Sequence, residues 1–74
     1  MNDEFETSYG EHLVGIDFNS GADKRVNHIK RCAAELIDYI QAQGQDKRSM
    51  EIAITHIENG AMWGVKSVTK PLRK

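Results

Sequence analysis

The sequence has few of the residues that stabilise very small proteins by cross-links. Its 74 residues include one cysteine, Cys32, which excludes an internal disulfide. His28 lies one helical turn before Cys32 and would supply only half of a metal site, so we expect no metal and no cofactor. A core of this size contributes only about 3–5 kcal/mol, so the expected source of further stability is oligomerisation.

Long apolar runs and a basic N-terminal segment are also missing. A membrane-spanning helix needs about 18 or more apolar residues in succession, and the sequence has no such run. The first four residues include Asp3 and Glu4 and no base, unlike the start of a signal peptide. We therefore expect a cytoplasmic protein without a membrane partner.

Charge is distributed unevenly along the chain. The formal net charge is −1, but all ten Lys and Arg residues follow position 20, and five of the eleven acids precede it. One interpretation is a solvated helical surface with an acidic arm. The other is a basic body that binds an anion, with the arm shaping access to it.

Hydrophobic periodicity predicts an all-α protein. A first long helix is expected to begin near Asp23, or alternatively Ser20, and to end at Gly44 in the left-handed conformation. A second is expected to begin at about Asp46 or Ser49 and to end at Pro71. The buried stripes expected from steps of three and four residues are Val26, Ile29, Ala33, Leu36 or Ile37 and Ile40, then Met50, Ile54, Ile57, Ala61, Val65 and Val68.

These two helices predict an antiparallel hairpin, which we assign to residues 23–71. Gly60 and Gly64 are expected near its inner side, where they would allow close helix approach. Residues 1–22 form an acidic arm in which Glu4 to Val14 is expected to make a short helix bearing Phe5, Tyr9 and Leu13. Residues 72–74 form a C-terminal tail.

A second apolar stripe lies opposite the core of the second long helix. Ile52, Met62 and Trp63 would face water in a monomeric hairpin, and such a stripe indicates an interface. We predict that these residues form a subunit contact. The alternative is that the arm folds back and covers them with Phe5, Tyr9 or Phe18.

Polar residues beside these stripes could bind an anion. Lys30 projects beside the core stripe, with Asn27 one turn earlier, and together they could bind a phosphate and a base edge. Lys66 follows Trp63 by one turn, which suits either phosphate binding with base stacking or a lysine stem packed on an indole. Lys30 and Lys66 are expected to point to different sides, and Glu35 and Asp38 to be surface charges. No constellation for catalysis is visible, so we expect no enzyme.

Two segments resemble a known family. The second helix carries Ala53, Thr55, Glu58, Met62, Trp63 and Lys66 in the pattern A-x-T-x-x-E-x-[GA]-x-M-W-x-x-K, after Ile29-Lys30 early in the first. This pattern, over about residues 16–71, is similar to the helical hairpin of phage anti-CBASS cyclic-nucleotide sponges, which Thoeris anti-defence sponges share. The resemblance implies a compact homo-oligomer, usually a hexamer, that sequesters cyclic oligonucleotides without cleavage and so blocks host immunity.

The resemblance also implies where ligands bind. Cyclic dinucleotides such as cGAMP would lie between protomers, at Tyr9 of the arm, Asn27 and Lys30, with Lys24 as the rival lysine. Cyclic trinucleotides would bind in a separate pocket at Lys66, with Asn59 and Thr55 beside it. Because a lysine head group is not a packing element, loss of the Lys30 ammonium is expected to leave the assembly intact.

Two other functions fit the same residues. A hairpin that dimerises into a four-helix bundle could bind RNA on its basic face, like small plasmid RNA regulators. A protein-binding hairpin could instead use the stripe of Ile52, Met62 and Trp63. A helix-turn-helix fits less well because its helices are short and need a third supporting helix, so no DNA partner is expected.

Overall fold

A computed structural model of the chain describes residues 7–19 and 21–71, which form three α-helices and no strand. Helix α1 spans Tyr9–Val14, α2 spans Lys24–Gln43 and α3 spans Lys47–Thr69. This arrangement confirms the predicted all-α hairpin with a short helix in the arm. Phe5 and the tail at 72–74 lie outside the described residues.

All three helices begin at side-chain N-caps. Asp23 accepts the backbone N–H of Arg25 at 2.8 Å, and Asp46 accepts that of Ser49 at 2.9 Å. In α1, Ser8 and Glu11 form a reciprocal capping box, which starts the helix five residues later than the predicted Glu4. Asp23 and Asp46 therefore cap the two long helices; of the alternative caps, Ser49 lies within α3 and Ser20 lies outside the described residues.

The two long helices are antiparallel. The turn between them contains Gly44, which adopts an extended conformation with φ −67° and ψ 145°, so the predicted left-handed conformation was wrong. A side chain would nevertheless not fit there, because a Cβ would lie 2.4 Å from Cγ of Met50. At the other end, a Cβ on Gly64 would lie 3.3 Å from a methyl of Ile29, whereas Gly60 faces open space. Close helix approach thus uses Gly64 alone.

The core lies between all three helices rather than within the hairpin alone. Its most buried side chain is Ile37. On α2 two buried residues lie one position after the predicted ones: Lys30 is buried instead of Ile29, and Ala34 instead of Ala33. The reason is that α1 covers the side of α2 that α3 leaves open. On α3 the predicted stripe supplies the buried residues. The buried residues of the two long helices are Val26, Lys30, Ala34, Ile37, Ile54 and Ala61.

Helix α1 crosses α2 at a glycine. A Cβ on Gly10 would lie 2.2 Å from the carbonyl oxygen of Ala34, so only glycine permits this approach. The amide of Gly10 donates to Oδ1 of Asp38 at 2.6 Å. Asp38 is therefore a half-buried acceptor for the arm, and its predicted role as a surface charge was wrong.

The second stripe of α3 remains uncovered within the described part of the chain. Ile52, Met62 and Trp63 are exposed, the last by 60%. The arm packs mainly on α2, so it leaves this stripe open. Within the described residues, no helix is both long enough and apolar enough to cross a membrane.

Candidate functional site

Lys30 ties the arm to α2. Its residue is only 9% exposed, and its Nζ donates to the backbone carbonyl of Gly15 at 2.9 Å and to that of Phe18. These carbonyls belong to the turn after α1, which Gly15 enters in the left-handed conformation at φ 63°. The buried ammonium is thus a tertiary contact, in contrast to the expectation that the lysine head plays no packing role.

A second cation secures the same arm from the solvent side. Arg31 Nη1 lies 2.6 Å from Oε2 of Glu11. The pKa of the Glu11 carboxyl lies below its ordinary value because it accepts the backbone N–H of Ser8 and also pairs with Arg31. Glu11 therefore caps α1 and links it to α2 with one carboxylate.

Between the arm and α3 lies a cavity of about 450 Å³, which we call the Lys30 cavity. Its polar lining groups include Lys30, Lys66, His12 and Glu58, and most of the other lining side chains are apolar. Phe18 lines it from the turn of the arm. An apolar cavity with a few converging charged groups is the usual form of a small-ligand site.

Lys30 and Lys66 line this one cavity, whereas the sequence predicted that they point to different sides. The antiparallel hairpin brings the start of α2 beside the end of α3, and the arm closes the space between the two lysines. Lys66 is exposed, and its Nζ lies 4.3 Å from the centroid of the Trp63 ring. The contact is a cation–π interaction at the edge of the predicted subunit contact.

Tyr9 lines a different cavity, which we call the Tyr9 cavity, of about 500 Å³ on the other side of α1. Thr55 and Lys47 line it as well. Leu13 and Glu58 line both cavities and so separate them. Within one chain, Tyr9 and Thr55 therefore line one cavity, and Lys30 and Lys66 line the other. The family resemblance implies a different grouping, with Tyr9 beside Lys30 and Thr55 beside Lys66.

The remaining predicted ligand residues lie on the surface outside these two cavities. Lys24 is the first residue of α2, and Asn27 lies one turn before Lys30; both are exposed. Asn59 is exposed on α3. In a single chain none of the three lines the Lys30 cavity or the Tyr9 cavity.

Sequence analysis did not single out two residues of the cavities. Glu58 was named only as part of a family pattern, and Phe18 only as an arm residue that could cover the second apolar stripe. The sequence did contain an indication of a role for Phe18: it is an aromatic residue in the short connection after Gly15, outside any predicted helix. His28 and Cys32 lie in contact, with Nε2 3.6 Å from Sγ, and no third ligand completes a metal group among residues 7–19 and 21–71.

Comparison with known proteins gives one family match. Residues 11–69 match the family model described as "Acb2/Tad1, hairpin domain". Searches of curated proteins and of solved structures gave no significant match. The matched region begins within α1 and ends at the last residue of α3, so it includes the turn of the arm and both lysines of the Lys30 cavity.

Proposed function

The chain belongs to the Acb2/Tad1 hairpin family of anti-CBASS and anti-Thoeris sponges, and we propose that it sequesters cyclic oligonucleotide messengers without cleaving them. Cyclic dinucleotides such as cGAMP are the first ligands of this proposal, and cyclic trinucleotides the second. Acting in the cytoplasm of the host, a phage protein of this kind would remove the messenger and so evade CBASS-type immunity.

The observation that carries this proposal is the unpaired charge of Lys30. Among residues 7–19 and 21–71 the ion pairs are Arg25–Asp23 and Arg31–Glu11, so Lys30 has no carboxylate partner there. Two carbonyls orient its ammonium at the wall of a cavity, and an ammonium has three donors. A buried cation with a remaining donor favours a phosphate oxygen, and Lys66 supplies a second cation to the same cavity.

The proposed dinucleotide residues are Lys30, Tyr9 and Asn27, with Lys24 as the alternative to Lys30. Tyr9 and Lys30 line different cavities of one chain, so a shared ligand would have to meet Lys30 of one protomer and Tyr9 of another. For cyclic trinucleotides we propose Lys66, Asn59 and Thr55. The exposure of Tyr9, Asn27 and Asn59 is consistent with sites that two chains complete together.

Such sites require assembly, and we propose a homo-oligomer, a hexamer by the family resemblance. Ile52, Met62 and Trp63 form the proposed contact because all three stay largely exposed on one side of α3. Light scattering across a dilution series tests the assembly. Persistence of a folded 8.4 kDa species at micromolar concentration would contradict it.

Native mass spectrometry with a panel of cyclic di- and trinucleotides tests the function itself. We expect binding at a fixed ratio per assembly, and recovery of intact ligand after heat denaturation of the complex. A linear product formed at more than one turnover per site would overturn the sponge assignment. Binding to RNA with a steep dependence on salt, without binding of any cyclic nucleotide, would favour an RNA-binding bundle instead.

A further inference from the structure

Phe18 combines a fixed backbone with an exposed ring. Its amide donates to the carbonyl of Gly15 at 2.9 Å, and its own carbonyl accepts from Nζ of Lys30. The residue is nevertheless 82% exposed, more than the other large apolar residues of the described chain. Folding therefore fixes the backbone of Phe18 without burying its ring, and packing within one chain does not explain why an aromatic residue stands here.

The ring stands next to the cation of the proposed site. Nζ of Lys30 lies 5.9 Å from the centroid of the Phe18 ring, at the outer limit of a cation–π contact. Both residues line the Lys30 cavity. Because the same ammonium binds the two carbonyls of the turn, the backbone that carries the ring is fixed beside the charge.

A nucleotide presents the two groups that complement this pair. Its base has an aromatic face, and its phosphate is an anion that accepts hydrogen bonds. Stacking on an exposed aromatic side chain tolerates any base, because every base has such a face. A ring and an ammonium a few ångströms apart are therefore suited to binding one nucleotide unit at both ends.

We propose that Phe18 stacks on a base of the bound cyclic nucleotide while Lys30 binds a phosphate of the same ligand. Lys30 has a second role in this arrangement, since its bonds to Gly15 and Phe18 position the stacking ring. This inference rests on the proposed sponge function and adds a base-contacting residue to it. It also explains why the ring remains exposed in the chain without ligand.

The experiment uses the full chain and removes the aromatic face while keeping the apolar volume. Phe18→Leu is compared with Phe18→Tyr, which retains a ring, and with Tyr39→Leu, which removes an exposed aromatic side chain outside the Lys30 cavity. Calorimetric titration with 3′,3′-cyclic GMP–AMP measures affinity, with cyclic di-AMP and cyclic tri-AMP as further probes. Light scattering measures the assembly of each variant.

For Phe18→Leu we expect a loss of affinity of roughly 5- to 150-fold with unchanged assembly, the range typical of one stacked base. Phe18→Tyr and Tyr39→Leu are expected to bind like the wild type. Equal affinity of wild type and Phe18→Leu would overturn the stacking role and leave the sponge function standing. The stacking role is also contradicted if Phe18→Tyr, which keeps a ring, binds as weakly as Phe18→Leu. It is contradicted as well if Phe18→Leu changes the assembly, because the ring is then a subunit contact. Wild-type protein that binds no probe contradicts the sponge function itself.

Discussion

The contacts that join the two helices of the hairpin differ in kind from those that attach the arm to it. Between α2 and α3 the contacts are apolar and periodic, and Ile37 is the most buried large side chain among the described residues. The arm is attached to α2 through polar contacts from Asp38, Lys30 and Arg31, together with the close approach at Gly10. The two long helices are therefore joined mainly by apolar packing, whereas the arm depends more on a few directional contacts and forms one wall of the candidate site.

The largest expected loss of stability follows from a substitution that would create a cavity in the core. Ile37→Ala removes the side chain that is 0% exposed and should lower the free energy of unfolding by about 2–5 kcal/mol. Urea unfolding at a fixed protein concentration measures this loss. Leu36→Ala, at the exposed neighbouring position, is the matched control and should cost much less. Similar losses for the two variants would contradict the observed placement of the core.

The second prediction tests the link between the arm and the hairpin. Lys30→Met keeps the apolar stem and leaves the carbonyls of Gly15 and Phe18 without their charged donor. We expect a loss of about 1.5–3 kcal/mol, because hydrogen bonds to charged groups are worth this much. Hydrogen exchange should become faster in residues 7–19.

Lys24→Met, which removes an exposed charge of the same helix, is the control for that experiment. Unchanged protection of the arm in Lys30→Met would show that the ammonium does not hold the turn. Lys30→Met should also bind cyclic dinucleotides about ten- to a hundredfold more weakly than the wild type, which corresponds to loss of one charge-assisted contact.

The third prediction concerns the crossing of α1 over α2. Gly10→Ala places a Cβ 2.2 Å from a backbone oxygen of Ala34, which cannot move without shifting α2. Overpacking of this kind costs about 1–3 kcal/mol, and the arm should separate from the hairpin. Limited proteolysis of the arm reports this separation.

Gly60→Ala is the matched substitution within the hairpin. A Cβ there meets no atom within 4 Å, and alanine favours the helix by up to about 1 kcal/mol, so this variant should be as stable as the wild type or more stable. Equal susceptibility of the two variants to proteolysis would argue against the close approach at Gly10.

The smallest expected effect is a pH dependence confined to the arm. The pKa of Glu11 is lowered in the folded protein by the Ser8 amide and by Arg31. The ionised form is therefore favoured by folding, so its stabilising effect is present above the ordinary glutamate pKa of about 4.3 and is lost as the pH falls below it. NMR of the Gly10 amide should report loosening of the arm in this acidic range.

Glu11→Gln isolates that effect. The pKa values of Asp23 and Asp46 are also lowered, by hydrogen bonds from Arg25 and Ser49 respectively, and these caps remain in the variant. The difference between wild type and variant therefore reports Glu11 alone. A Gly10 amide whose pH response is identical in both proteins would show that Glu11 is not the source of the acid sensitivity.

The hairpin could be predicted from the sequence. Periodic apolar residues and the capping residues Asp23 and Asp46 define two amphipathic helices, and these signals act over one or two turns of chain. The same patterns indicated that Ile52, Met62 and Trp63 would be exposed in a hairpin, and Thr55, Glu58 and Lys66 carried the family resemblance. Such features depend on spacing alone, which can be read along the chain.

Tertiary structure alone decided how the arm meets α2 and which polar residues share a cavity. Gly10 approaches the backbone of Ala34, and Lys30 binds two carbonyls that lie 12 and 15 residues away in sequence. Neither contact has a periodic signature, because each depends on the crossing of helices that are distant along the chain. The grouping of Lys30 with Lys66, and of Tyr9 with Thr55, follows from where α1 rests between the long helices. That position is set by close packing and directional hydrogen bonds, which a one-dimensional pattern does not encode.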